Sequence, residues 1–567
     1  MLKELKEQCI YFLKNKWFLV MLVVSAVAGY GYVLTHGTCG IDDISIDLYF
    51  EKGIGVAIGR WPYYLINKVI PIAKYTPFIG DFVTVILLML SAIGWCVLLR
   101  ILVGEKINIW AYIVFAAWFL IYSMNADVFV FYLQNGLGWV HLFTVLSLLA
   151  FLYLYKNKVK MGKQILIRST MIILLTIAIS FYESAANIFL TGILAVMLID
   201  LYEKKKESCF RGRGFFKALF FAGRYLVYAM LARRVIRSVI VHIFHTPGYT
   251  FYRSASSIEW ITKGGIGKIG ENLETLLARL YCDYFAMAVV YFPILLFVIC
   301  SIIFVVALLC YAWKQRDILL LITGIGTYIS LFVLSVIQGD AMQYRACQTF
   351  TIFVALVFFG VTILLGKVKK QMCLCGSVIL VCTMLYSVYD MNHWFVLDYE
   401  KTEYEMQVID QIAAELNSGK YNVQEKPLVI VGDFYLPDAI YDKYCVSEGE
   451  FGWSIVENAV KKTCCEINDK YCYAQNSESM INWGIKAFAM NYGYNVPIRQ
   501  FFEYRGYEFK WADPEVTNRV FETYYPLDLE TYSYTGYEVY TENYGNAAQF
   551  PEKGYVEELE DCIVVRL

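Results

Sequence analysis

Before residue 390 the chain carries eleven apolar runs, each close to the length that the hydrocarbon layer of a bilayer demands of a helix. They lie at about 17–35, 81–103, 107–124, 137–155, 165–181, 185–201, 215–244, 286–312, 317–337, 348–366 and 372–390. In lipid a chain must satisfy its own backbone groups, so runs of this kind fold as helices. Composition agrees. Of 567 residues 58% are hydrophobic and 17% charged, against roughly 45–50% and about 25% in a soluble domain. The sequence predicts a polytopic α-helical membrane protein of about 11 transmembrane helices, seated in a lipid bilayer. The run 215–244 admits two readings because Arg224, Arg233, Arg234 and Arg237 interrupt it. It is either one span with a charged half or a span followed by an interfacial helix.

Basic residues fall in every second gap: the N-terminus, Arg100 with Lys106, Lys156 to Arg168, Lys204 to Arg213, Lys314 with Arg316, and Lys367 to Lys370. Cytoplasmic loops carry such an excess, so the N-terminus is predicted to be cytoplasmic. The gaps 36–80, 125–136, 182–184, 245–285 and 338–347, and everything after 390, are then external. The first run ends without an Ala-x-Ala site and reads as an uncleaved span. A net charge of −1 gives no reason to expect a nucleic-acid partner.

After Met391 the spans stop and charged residues, tyrosines and turn residues become frequent. Lys401 to Asn417 has helical periodicity, Pro427 to Gly432 reads as a short buried strand, and Cys562 to Leu567 reads as a closing strand. The predicted organisation is a transmembrane domain at 1–390 and a small extracytoplasmic α/β domain at 391–567.

Several soluble-enzyme chemistries are excluded. There is no phosphate-binding G-x-x-x-x-G-K-[ST] loop. Gly265 to Gly270 satisfies G-x-G-x-x-G but follows no strand, so the dinucleotide reading fails on context. Those glycines could still open the helix Glu271 to Leu280 toward a phosphate. The five histidines show no metal-ligand spacing, and Cys373 with Cys375 has no second pair nearby.

The informative charges sit where apolar runs end. Asp42 and Asp43 follow the first run directly, and a charge pair at a membrane surface is costly unless it faces water, a cation or a substrate. Two adjacent carboxylates repel, which raises one pKa and suits it to accept a proton. Arg60 and Arg345 are the best candidates to hold a phosphate, since a guanidinium matches it with two parallel hydrogen bonds. Asp127, Glu183 and Asp340 stand at other external run ends and are candidate substrate contacts.

Asp42-Asp43 after the first span, Gly59-Arg60 opening the next helix, Asn125-Ala-Asp127, Phe181-Tyr-Glu-Ser184 and Tyr344-Arg345 together carry a resemblance. Over about 1–390 the chain resembles the GtrII-type glucosyltransferases, within the GT-C class of membrane glycosyltransferases. That family usually has a polar amide where this chain has Glu183. The resemblance implies a GT-C-like fold and transfer of a sugar, glucose, from a polyprenyl-phosphate carrier to a cell-surface glycan on the external face. It implies Asp42 or Asp43 as base and no obligatory cofactor, although the acidic pair could hold a divalent cation. Two rival readings are a glycan polymerase or ligase, which usually keeps its key residues on a large late loop, and a transporter or flippase of lipid-linked sugars. The latter would bury charges near the bilayer midplane or show inverted repeats; no repeat is visible, and the arginines at 224–237 alone leave that reading an opening.

Overall fold

The structure, a computed structural model, describes residues 2–41, 43, 53–69, 77–105, 107–130, 136–157, 159–244, 261, 264–281, 294–339, 342, 344–441, 443, 445–446, 471–472, 479–486, 493–524 and 547–567. Asp42 and Asp340 lie outside the described residues, as does most of the tyrosine-rich stretch 521–545. The chain divides into two compact units. The first comprises Met1–Gly37, Tyr49–Val396 and Val446–Tyr471, and the second Thr38–Leu48, Leu397–Cys445 and Cys472–Leu567.

The first unit is a helix bundle. In chain order its helices are α1 Leu2–Lys14, α2 Lys16–Thr35, α3 Ile54–Ala57, α4 Trp61–Val69, α5 Pro77–Val103, α6 Ile109–Ile121, α7 Ala126–Phe129, α8 Leu137–Lys156, α9 Met161–Phe181, α10 Ser184–Lys204 and α11 Arg213–Phe244. There follow α12 Ile269–Tyr281, α13 Ile294–Gln315, α14 Ile318–Ile329, α15 Val333–Gln338, α16 Thr349–Val368 and α17 Lys370–Leu416. Among the described residues nine helices are long and apolar enough to cross a membrane, and a tenth if α6 and the bent piece after it, Ser123–Phe129, count as one span. The long α11 is not among them; it is one continuous helix of 32 residues, so of the two readings of this run the structure shows a single helix.

Packing follows composition. Every residue of α6 from Ala111 to Ile121 is buried, as an all-apolar helix at the centre of a bundle must be. It packs between α2 and α16, while α8 packs against α5, α9 and α10. Large apolar side chains remain exposed on the outer helices, among them Phe216, Phe220, Ile302, Val306, Leu309 and Ile379. Exposed apolar surface on this scale would aggregate in water and is what lipid tails cover. The molecule is a membrane protein by these helices.

The sequence reading separated a span at 372–390 from a helix beginning at 401. The structure joins them in the single α17 of 47 residues. No glycine or proline lies between Ser377 and Ser418 to interrupt the hydrogen-bond ladder. The helix stops just before Gly419, which takes a left-handed conformation at φ 81°. The division between the units falls inside α17, after Val396.

The second unit holds a three-stranded sheet. Strand β1, Leu428–Val431, pairs in parallel with the C-terminal β3, Ile563–Arg566, and β2, Val556–Glu558, completes the sheet on the other side of β3 in antiparallel sense. Both expected strands are present, and β1 and β3 are buried along their whole length, as central apolar runs require. Helices α18 Met480–Lys486, α19 Val496–Tyr504 and α20 Pro514–Tyr524 accompany it.

Candidate functional site

In the first unit, four of the charged residues singled out in the sequence gather around one tyrosine. Helix α9 ends at Phe181, α10 starts at Ser184, and the two-residue turn between them carries Tyr182 and Glu183. Tyr182 is buried. Burial pushes its phenol above the ordinary range, and the guanidiniums of Arg345 and Arg60 pull it back, while Glu183 and Asp127 add to the rise. Arg60 also lies over the Tyr182 ring, with Cζ 4.7 Å from its centroid.

Each residue reaches this place for a local reason. Arg60 follows a tight turn in which Gly59 adopts φ 94° and the Arg60 N–H donates to the Gly55 carbonyl at 2.7 Å. A side chain is disfavoured at that φ. A Cβ on Gly59 would also lie 2.5 Å from Nη2 of Arg233, so two independent constraints select glycine. Arg345 sits on a 3-10 turn, Tyr344–Ala346, and its backbone N–H donates to the Asp127 carboxylate at 2.7 Å. Asp127 therefore holds the turn that presents Arg345. Two residues earlier, Asn125 secures the break after α6: its amide donates to the carbonyls of Phe119 and Leu120 at 3.1 and 3.0 Å, and it accepts from Thr351 Oγ1 at 3.2 Å.

Glu183 stands at the N-terminus of α10, where the helix dipole favours an anion. Its two oxygens face different arginines. One forms an ion pair with Arg233 of α11, and the other lies 4.0 Å from Nη2 of Arg60. Burial alone would raise the Glu183 pKa, but Arg233 and then Arg60 outweigh it and hold the carboxyl below its usual range. Arg233 does more than pair with an acid: it also donates to the carbonyl of Ile58 at 3.0 Å and to that of Gly59 at 3.4 Å. Three guanidiniums and two carboxylates thus meet in this region, an arrangement able to accept an anion.

Asp43 belongs to the second unit. It is buried, and one of its carboxylate oxygens accepts the N–H of Gly40 at 2.8 Å, closing a turn over 40–43. The turn is seated on α17, where Thr402 Oγ1 accepts the N–H of Cys39 at 3.3 Å. Asp398, Lys401, Thr402 and Glu405 are spaced three or four apart, so they share one face of that helix, and all four are buried. Burial pushes the Cys39 thiol well up, Asp43 and Glu405 push it further, and Lys401 opposes them. Glu405 accepts from Ser479 Oγ at 2.6 Å and from the N–H of Ile481 at 3.3 Å, so it also caps α18.

Sequence reasoning had not assigned Tyr182, Arg233 or Lys401 to a site. Tyr182 lay inside the quoted Phe181-Tyr-Glu-Ser184 motif. The signal for Arg233 was a charge inside an otherwise apolar run, where it needs a partner. Lys401 gave no signal, because its neighbours Asp398, Glu400 and Glu403 made the stretch look solvated. Among the described residues no three His, Cys, Asp or Glu side chains gather as metal ligands.

No curated protein and no solved structure matches this chain. The family described as glucosyl transferase GtrII matches residues 31–364, more than half of the chain, and that span takes in Asp43, Arg60, Asp127, Glu183, Arg233 and Arg345. The chain belongs to the GtrII glucosyltransferase family.

Proposed function

We propose that this glucosyltransferase takes glucose from a polyprenyl-phosphate carrier and places it on a cell-surface glycan at the external face of the membrane. The convergence of Arg60 and Arg345 on Tyr182, at the ends of membrane-type helices, is the observation that carries the reading. A lipid-linked phosphate arrives at that depth, and guanidiniums hold it while its charge grows as the glycosidic bond breaks. The leaving phosphate monoester is already a stable anion and needs little help from a general acid. On the other side of the reaction, the acceptor hydroxyl oxygen bonds to the anomeric carbon. The carbon–oxygen bond to phosphate breaks with its electron pair, and the hydroxyl proton passes to a carboxylate. Asp43 has one oxygen committed to the Gly40 N–H, so we assign the base to Asp42 and the holding of the turn to Asp43. Asp127 supports Arg345 in this scheme, and Glu183 supports Arg60. Asp340 keeps its expected place as a substrate contact. No divalent cation is needed for these steps, though the Asp42/Asp43 pair could hold one.

The test uses full-length protein in lipid nanodiscs with purified polyprenyl-phosphate-glucose. Asp42→Asn should retain donor binding and lose turnover by roughly 10²–10⁴-fold. Asp43→Asn should lose less turnover. Full activity in both variants and in the double variant would falsify this mechanism.

A further inference from the structure

Helix α11 carries three arginines close together toward its C-terminal end, Arg233, Arg234 and Arg237. Spacings of four and three put Arg237 beside both of the others, and like charges so spaced destabilise a helix. The fold answers only one of the three charges, since Arg233 pairs with Glu183. Farther back on the same helix, Arg224 lies over the rings of Phe221 and Tyr225, with Cζ 4.7 and 5.3 Å from their centroids. Arg234 is exposed and Arg237 half-buried. Among the described residues their guanidiniums meet no carboxylate, carbonyl or aromatic ring, and Nε of Arg237 is buried with no hydrogen-bond partner. A further cation stands nearby. Tyr64 of α4 packs against Ile240 and Phe244 of α11 and carries Lys68 over its ring, with Nζ 5.1 Å from the centroid.

The surface leading up to these arginines is apolar. Val227, Met230 and Leu231 stand seven, four and three residues before Arg234, so they share its side of the helix, and all three are exposed. An apolar stripe that ends in two guanidiniums has the polarity of a lipid: hydrocarbon first, then phosphate. From this juxtaposition we infer that Arg234 and Arg237 hold the phosphate of an anionic phospholipid whose acyl chains cover Val227, Met230 and Leu231. The site belongs to the leaflet at the α9–α10 turn, because Arg233 is tied to Glu183 of that turn. Guanidiniums one helical turn apart can offer their forked donors to one phosphate. The bound anion offsets the repulsion within α11, and a zwitterionic headgroup, which brings its own cation, does so less well. The occupant is phospholipid because the face is open to the surrounding bilayer, where phospholipid is in large excess and fills the site by mass action. This lipid site stands whether or not the donor reading holds.

Native mass spectrometry tests the assignment on full-length protein, delipidated in neutral detergent and then supplied with phosphatidylglycerol or phosphatidylcholine. The starting protein should retain phosphatidylglycerol about tenfold more tightly, equivalent to roughly 1.4 kcal/mol. Arg234→Gln combined with Arg237→Gln should weaken phosphatidylglycerol about tenfold and leave phosphatidylcholine unchanged. Arg234→Lys with Arg237→Lys keeps both charges and loses the fork, so it should cost only about threefold. That pair also serves if the glutamine variant does not fold, and undiminished phosphatidylglycerol binding in it would then overturn the assignment. Equal retention of the two lipids by the starting protein overturns it as well. A parallel titration uses polyprenyl-phosphate-glucose. Glutamine variants that lose this donor but keep phosphatidylglycerol would make the face a donor site and end the phospholipid assignment.

Discussion

The two units gather charge in opposite ways. In the first, Arg60, Arg233 and Arg345 outnumber Glu183 and Asp127, and the arginines come from helix ends and turns far apart in sequence. In the second, Asp43, Asp398 and Glu405 outnumber the buried Lys401, and three of these four stand on one face of a single helix. A surplus of guanidinium suits a site that takes up an anion. A surplus of carboxylate around one ammonium suits a site that accepts a proton, because the like charges favour protonation of one of them. The sequence reading had put the acidic pair and the arginines on one common surface. Of these, Asp43 falls in one compact unit and the three arginines in the other.

The strongest way to break this comparison is to remove the cation from the acidic cluster. Lys401→Met removes the one ammonium from among these buried carboxylates and should destabilise the protein by about 3–5 kcal/mol, the usual cost of breaking a buried ion pair by deleting one member. Adding Glu405→Leu should recover a substantial part. Denaturant unfolding of the full chain measures both, and a loss below about 1 kcal/mol in the single variant would mean that solvent screens the cluster.

A smaller effect sharpens the description of the arginine side. Gly59 and Gly104 both take left-handed conformations, at φ 94° and 85°. Nothing lies within 4 Å of a Cβ on Gly104, whereas one on Gly59 would meet Arg233. Gly104→Ala therefore reports backbone strain alone, about 1–2 kcal/mol. Gly59→Ala adds displacement of Arg233 and should raise the donor KM as well as lower Tm. Equal melting shifts with no change in KM would show that the close approach has no functional weight.

The smallest effect is on acid stability. Glu183 titrates below its ordinary value in the folded chain. The stability it contributes is therefore complete at neutral pH, begins to fall below about pH 4.3, and is lost as pH drops through the lower folded value. Glu183→Gln should flatten that acid limb in melting curves recorded from pH 7 to pH 3. An unchanged limb would mean that the Arg233 pair does not set it.

Much of the bundle was legible because a bilayer allows few solutions: a run of about twenty apolar residues has to be a helix, and the charges left at its ends stand out. Arg60, Asp127, Glu183 and Arg345 were visible for that reason. Their division of labour was not. Asp127 could be read as a substrate contact, and only the folded chain shows its carboxylate on the backbone of Arg345. The burial of Lys401 was illegible because the turn seated on this helix, through Cys39 and Thr402, comes from the far end of the sequence. The joining of two expected helices in α17 follows from the lack of glycine and proline, a signal that was present but was outweighed by the change in composition near Met391.

The hydrogen bond from Cys39 to Thr402 spans 363 residues of chain. At a synthesis rate of about 5–20 residues per second, roughly 20–70 s pass between the emergence of the two ends. Through that interval the Gly37–Asp43 stretch exists without the helix face on which it is seated. Its carboxylates must wait in water or against a chaperone while the intervening helices insert. The acidic turn is thus among the last parts of the molecule to reach its final form, and a ribosome that stalls before Thr402 leaves a chain whose bundle can assemble but whose acidic turn has no seat.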